Sequence, residues 1–300
     1  MKLFEVPDVP ARIAVGRRAK TWRDYEWGTL WPFLLIHLLV LGVLWTGMSA
    51  STWILCATLY FVRMFGVTGV YHRYFSHRTY KTSRPMQFLL AFLAETSSQR
   101  GALWWAAHHR DHHKYSDTER DVHSPVVHGF WHAHVGWLYD RNSETDWARV
   151  KDFARYPELV ALDKLWLLPP TMLGLFTWLV WGWEGLFGGF FLSTVLLWHG
   201  TFAINSLAHV WGKRRYATAD DSRNNWWLAL LTLGEGWHNN HHHYMGSTRQ
   251  GFFWWEVDIS YYVLKAMSWV GLVWDLREPP ARVYQPDKSS EPASAREEAA

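Results

Sequence analysis

The sequence predicts an all-α integral membrane protein, with four transmembrane helices in two hairpins and a cytoplasmic helical cap that holds a histidine-rich site for two metal ions. Three features carry this. Four apolar stretches each come close to the roughly 20 residues that a helix needs to cross a bilayer core. Basic residues gather ahead of the first stretch and are missing from the short turns. Three histidine clusters lie outside the stretches, on the side that the basic residues mark.

The first stretch, Leu30–Met48, has His37 as its only ionisable group, and the second, Ser51–Tyr71, carries Arg63. A few small residues near Ser49 and Ala50 join them. Leu165–Trp183 is interrupted by Pro169 and Pro170, and Leu186–Val210 passes through His199; Gly-Trp-Glu-Gly at 182–185 joins this pair. His37 and His199 read as buried helix residues. The expected spans are therefore about 30–48, 51–71, 165–183 and 186–210, within a membrane domain covering 30–278. Arg12, Arg17, Arg18, Lys20 and Arg23 precede the first span, so the positive-inside rule places the 1–29 segment, both cap segments (72–164 and 211–278) and the C-terminus in the cytoplasm. No apolar core precedes a small-residue cleavage site, so no signal peptide is expected. A further apolar run, Phe252–Leu276, is interrupted by Glu256, Asp258 and Lys265 and reads as an amphipathic helix on the membrane surface or against the cap. The polar 279–300 tail is expected to be disordered.

Composition narrows the chemistry. The chain holds 23 tryptophans, a residue enriched where membranes meet water. Cys56 is the only cysteine, which excludes an internal disulfide, thiolate-held iron–sulfur clusters, zinc ribbons and Cys-x-x-Cys redox motifs. A net charge of +3 gives no argument for nucleic acid.

The histidines fall at ligand spacing. His72 and His77 follow the second span, His109, His112 and His113 form one cluster, and His238, His241 and His242 form another. Positions i, i+3 and i+4 share a helix face, so each trio is expected to aim at one point. A five-residue step is about 140° off a shared face, so His72 and His77 require a helix end or a turn between them. Asn205 and His209 lie four apart at the end of the last span and point at the same place. So many imidazoles exceed one ion, since a catalytic zinc takes three protein ligands and an open position. Imidazole suits iron, copper, nickel and zinc. A hydrolytic zinc pair would bring carboxylate ligands, whereas a nitrogen-rich iron pair that activates dioxygen suits a site beside an apolar compartment.

These residues resemble the membrane fatty-acid desaturases, above all the acyl-CoA Δ9 (stearoyl-CoA-type) branch. The three boxes, His-x₄-His and twice His-x₂-His-His, stand in the family's order. "KYSDTERDVHSP" (114–125), "HVGWL" (134–138), "NSLAH" (205–209) and "GEGWHNNHH" (234–242) extend the similarity across roughly 30–278. The resemblance implies two iron ions (Fe2+/Fe3+) bound by His72, His77, His109, His112, His113, His209, His238, His241 and His242, with Asn205 reaching a metal through water. Asp111, Asp117, Asp121 and Glu235 are candidates to accept the ligands' remaining N–H groups. Tyr60 and Met64, two to three turns before His72, are candidates to close the far end of a substrate tunnel.

The implied reaction introduces a cis double bond at Δ9 of a saturated acyl chain, using O2 and two external electrons. No Gly-x-Gly-x-x-Gly unit, rubredoxin cysteines or haem-histidine domain is visible, so a separate ferredoxin, rubredoxin or cytochrome donor with its reductase is expected. Where animal acyl-CoA members carry Arg-Asp before the second box, this chain has Ala107 and His108. The implied substrate is an acyl-CoA, with the CoA held differently; an acyl group on a glycerolipid or carrier protein is the alternative. Arg100, Lys114, Arg141, Lys151 and Lys213 are candidates to meet an anionic head group. A related di-iron hydroxylase is the alternative reading. A metal or haem transporter would instead place its ligands inside the spans.

Overall fold

A computed structural model describes residues 25–140 and 144–284. The basic residues at 12–23, Arg141 and the tail from 285 onward lie outside the described residues. Among the described residues, three helical runs are long and apolar enough to cross a membrane: Trp27–Thr46, Ala50–Ser76 and Leu168–His209. The first contains α1 (Trp27–Leu39), and the second opens with α2 (Ala50–Phe65). Ser49 caps α2 by accepting from the Thr52 N–H at 3.3 Å.

The cap follows. Lys81–Thr82 pairs antiparallel with Val273–Trp274. Next come α3 (Arg84–Glu95), α4 (Ala102–Tyr115), α5 (Phe130–His134) and α6 (Pro157–Lys164). The start of α4 is buried, so its free N–H groups need partners inside the protein. Asp163 accepts from Leu103 and Trp104 at 2.8 and 2.9 Å, and Glu95 accepts from Ala102 at 3.0 Å.

The third apolar run holds α7 (Leu168–Glu184) and α8 (Ser193–Ser206), and it is not straight. Gly182 has φ 64° and ψ −154°, which breaks the helix. A Cβ at Gly174 would stand 3.3 Å from the Phe190 ring. In a straight helix those residues would be about 24 Å apart, so the chain folds back at the break. The tip of this fold meets the turn after α1. The Ser49 N–H donates to the Glu184 carboxylate, and the Trp45 ring lies 6.3 Å from that of Trp183.

Two charged or polar groups inside the apolar runs are satisfied by neighbouring helices. Arg63 is buried and donates to Leu59 O at 3.0 Å, Thr96 O at 3.3 Å, Thr194 Oγ1 at 2.7 Å and Ser193 Oγ at 2.5 Å. His37 Nε2 lies 3.1 Å from His199 Nε2, and His199 Nδ1 lies 3.0 Å from His134 Nε2, tying α1, α8 and α5.

After α8 come α9 (Trp226–Leu231), α10 (His238–His243) and α11 (Ile259–Trp269). The charges that interrupt the last apolar run are anchors of the cap. Asp258 pairs with Arg73 at 2.8 Å and accepts from the Tyr261 N–H, while Glu256 pairs with Arg215 and accepts from Asn240 at 2.8 Å. Both carboxylates are fully buried. This segment packs on the cap through Tyr261 and Leu264, while Trp254, Trp269 and Val270 stay exposed.

Gly234 has φ 122°, and a Cβ there would meet Asp258 Oδ1 at 2.4 Å. Gly234→Ala is expected to destabilise the cap by about 1–3 kcal/mol from backbone strain alone, with the displaced ion pair adding to it. Gly28→Ala, whose Cβ finds nothing closer than 3.6 Å, is expected to change little. Thermal unfolding of the detergent-solubilised variants measures the difference.

Candidate metal centre

The helix turns π-helical over Gly66–Ser76, and the His77 N–H donates to the His72 carbonyl at 3.2 Å. An i to i+5 repeat puts residues five apart on one face. The helix ends at Ser76 with His77 as its cap residue, so the helix end expected between the two histidines is present, and the wider π-helical turn leading to it brings them onto one side.

The histidines gather in two groups. His72, His77, His109, His113 and His241 form one, and His112, His209, His238 and His242 form the other, with the ligating atoms of each group within 4.8 Å of one another. Each trio is divided, against the expectation that it shares one point. On α4 the i, i+4 pair His109 and His113 joins the first group while His112 joins the second. On α10 the i, i+4 pair His238 and His242 joins the second while His241 joins the first. Adjacent helical positions are about 100° apart, so each short helix bridges the two groups.

Hydrogen bonds cannot explain the first group. His109 Nε2 lies 3.0 Å from His77 Nε2 and 2.9 Å from His113 Nε2; His241 Nε2 lies 2.9 Å from His113 Nε2 and 3.0 Å from His72 Nε2. Each Nε2 offers one hydrogen or one lone pair. Along this row of five atoms, alternation supplies at most three hydrogens for four contacts. A cation bound by all five lone pairs removes the conflict. With metal–nitrogen bonds of about 2.0–2.1 Å, ligands at right angles stand about 3 Å apart. In the second group, His209 Nε2 and His238 Nε2 are 3.0 Å apart, and the buried His242 Nε2 has no partner among the described residues.

Carboxylates fix the tautomers. Asp121 Oδ2 lies 3.0 Å from His112 Nδ1, Asp117 Oδ2 lies 2.9 Å from His209 Nδ1, and Glu235 accepts from His72 Nδ1. Each contact occupies Nδ1 and turns the Nε2 lone pair inward. Asp220, unforeseen in the sequence because nothing in its spacing links it to a box, does the same for His242 at 2.6 Å. Asp111 does not join them; it pairs with Arg149. Two positions after His109 it faces about 200° around α4, away from the ligands. Arg73 holds Glu235 at 3.1 Å. Asn239 and Asn240, between the histidines of the third box, are fully buried anchors: Asn239 Oδ1 accepts from the Arg215 and Tyr216 N–H groups at 2.7 and 2.8 Å.

The electrostatics favour the neutral form of six of the histidines, while at His112 burial is outweighed by the adjacent Asp121 carboxylate, which raises it above the usual range. Burial first, then the neighbouring imidazoles, push His77, His109, His113, His238 and His241 well below the usual histidine range. Burial takes His242 down to about 4 against the pull of Asp220. Burial opposes ionisation of Asp117, but hydrogen bonds from His209 and Ser124 and the charge of His209 hold it at about 2. Unprotonated imidazoles flanked by ionised carboxylates are what a metal ion requires.

Two cavities adjoin the histidines. The larger, about 690 Å³, reaches His109, His123 and Asn205 and is otherwise mostly apolar. The smaller, about 40 Å³, is walled by His72, His112, His238, Asn205 and Met64. Trp105 and Thr201 line both. Gln99 donates to Thr201 at 3.0 Å and accepts from Trp105 at 3.4 Å, bridging two of the residues that the cavities share. Tyr60 and Met64 pack on Gly200, whose Cβ would lie 2.9 Å from Tyr60 Oη and 3.0 Å from Met64 Cε. Neither lines the larger cavity, and Met64 lines the smaller.

Residues 49–269 match the fatty acid desaturase family. The chain is 34% identical to the Delta-9 acyl-lipid desaturase 2 of Arabidopsis thaliana, over 91% of its own length and 92% of that protein's. It is 34% identical to the sn-2 palmitoyl-lipid 9-desaturase of Nostoc sp., over 82% and 88%. It is 33% identical to the Acyl-CoA 5-desaturase AL21 of Anemone leveillei, over 92% and 88%.

Removing a carboxylate that orients a ligand costs about 10–100-fold in metal affinity. Asp220→Asn is expected to show that loss and Asp111→Asn none, measured by competition with a chelator on the metal-loaded protein. Equal affinities in the two variants would contradict the assignment of Asp220.

Proposed function

The chain belongs to the fatty acid desaturase family, and we propose from that premise that it introduces a cis double bond into a saturated acyl chain at a two-iron centre, with Δ9 as the expected position. It is an oxidoreductase. The overall change removes two hydrogens from adjacent methylenes and consumes O2, two electrons and two protons to give two waters. Two iron ions held by the five- and four-histidine groups, with Asn205 reaching one through water, would supply the activation of dioxygen. The observation that carries the reading is the convergence of two histidine groups beside two adjoining cavities, the small one walled by His72, His112 and His238 and the large apolar one reached by His109.

The protein's own contribution is placement and exclusion. The apolar walls hold the acyl chain and keep water from the reacting methylenes. Trp105 and Thr201, shared by both cavities and bridged by Gln99, support a path that holds one pair of methylenes near the histidines; such positioning supplies much of a rate enhancement. Met64, which lines the smaller cavity, limits how far the chain extends past the histidines, whereas Tyr60 lines neither cavity. The fold-back at Gly182 and the contact between the two turns support four spans in two hairpins. With the basic residues ahead of the first span, they support both termini and the metal centre on the cytoplasmic side. Electrons come from a separate ferredoxin, rubredoxin or cytochrome with its reductase.

Expression in a host without desaturases is expected to yield a new monounsaturated fatty acid that disappears with His112→Ala. A hydroxylated product would select the hydroxylase reading instead. Met64→Ala is expected to move the product distribution toward longer chains, and an unchanged distribution would remove Met64 from that role.

A further inference from the structure

We infer that residues 225–236 form a re-entrant hairpin that dips from the side of the metal centre into the nearer leaflet, so that the acyl chains of the bilayer are the partner of the exposed face of α9. The inference goes beyond the proposed reaction and rests only on the apolar runs crossing a bilayer. From Ser49 to Val62 the second run is about 20 Å long. Phe61 and Val62 are the last exposed residues of that run, and residues 63–76 are all buried. A bilayer core is about 30 Å thick, so about 10 Å of hydrocarbon remains beyond Val62, to be met by whatever surrounds the buried stretch. On one side that is α9, six residues and about 9 Å long.

Two spans fix the depth of α9. Its last carbonyl, Leu231 O, accepts from Tyr60 Oη at 2.9 Å, and a Cβ at Gly200 would stand 2.9 Å from the same hydroxyl. Tyr60 precedes His72 on one span and Gly200 precedes His209 on the other, each by roughly 13–18 Å of helix. The hairpin opens and closes near the ligands. Asn225 Nδ2 donates to Trp211 O at 3.3 Å, just past His209, and the Asn225 N–H donates to Gly236 O at 2.7 Å. The exposed face is graded as a bilayer is. Trp226 and Trp227 stack at the entry with centroids 3.9 Å apart, and Leu230 and Leu231 follow at the tip, all four between 40% and 54% exposed. Tryptophan is enriched where lipid meets water, and leucine belongs in the hydrocarbon. Backbone at that depth has to be helical or buried in protein. Here α9 is the helical arm, and the return arm, 232–236, is buried throughout. Its Gly234 N–H donates to Ala229 O at 2.7 Å, and Leu233 O accepts from the Ser260 N–H at 2.8 Å. The return arm carries Glu235, which stands behind His72, and leads into His238, so the bilayer braces the loop that both histidine groups use.

Spin labelling of the full-length protein in phosphatidylcholine vesicles tests this. Cys56→Ser removes the only native thiol. Nitroxides are then attached singly at Leu230→Cys and Trp227→Cys on the hairpin, at Ile54→Cys on the exposed face of α2, and at Glu119→Cys in the charged turn after α4. Power saturation compares collisions with O2, which concentrates in hydrocarbon, and with a water-soluble nickel chelate. Position 230 is expected to follow position 54, with O2 collisions exceeding nickel collisions several-fold. Position 227 is expected to fall between 54 and 119, and 119 to favour nickel. Leu231→Cys, exposed on the same helix, repeats the measurement should Leu230→Cys unfold. Nickel collisions at 230 as frequent as at 119, with 54 in lipid, would overturn the hairpin and leave the span standing. Few collisions with either reagent at 230, the mark of a face covered by protein, would overturn it equally. Nickel access at 54 would overturn the span, and the hairpin with it.

Discussion

Nine imidazoles gather in two buried groups whose ligating atoms lie within 4.8 Å of one another, an arrangement that positive charge between them would stabilise, and the residues around them are placed to balance that charge. Burial strips water from the site, so an unbalanced ion there would cost several kcal/mol. Glu235, Asp121, Asp117 and Asp220 each stand behind one ligand. Four carboxylates match the charge of two divalent ions. Arg73 sits between Glu235 and Asp258 and extends the balance one step further into the cap.

The local backbone follows from the same demand. The π-helical stretch brings His72 and His77 onto one side, and α4 and α10 each send an i, i+4 pair to one histidine group and the i+3 histidine to the other. Such sharing fixes the spacing of the two groups through helices instead of loops. Asn239 and Asn240 lock α10 against the 215–224 segment, and the close approach of Asp258 to Gly234 sets the loop before it. The apolar cavity then begins at these ligands, so substrate and metal site share their walls through Asn205, Trp105 and Thr201.

Much of this was legible in the sequence, for physical reasons. A bilayer forces long apolar runs, and the turns at 47–49 and around Gly182 fall where small residues join those runs. The three clusters exposed eight histidines of the two groups by their spacing, and the resemblance to the desaturase family added His209. What escaped depended on three-dimensional packing. The π-helical register is not encoded in a spacing that looks five residues long. Asp220 meets His242 only through the tertiary fold. Asp111 was drawn in by closeness in sequence, although the helical repeat turns it away. The division of each trio between two ions was equally hidden, since a face wide enough for i, i+3 and i+4 is also wide enough to serve two centres.

The most direct measurement of the central claim is anomalous diffraction at the iron edge from the iron-loaded protein. The account requires two peaks, one bonded to the Nε2 atoms of His72, His77, His109, His113 and His241 and the other to ligand nitrogens of His112, His209, His238 and His242. A single peak, or one ion bound by His109, His112 and His113 together, would contradict it.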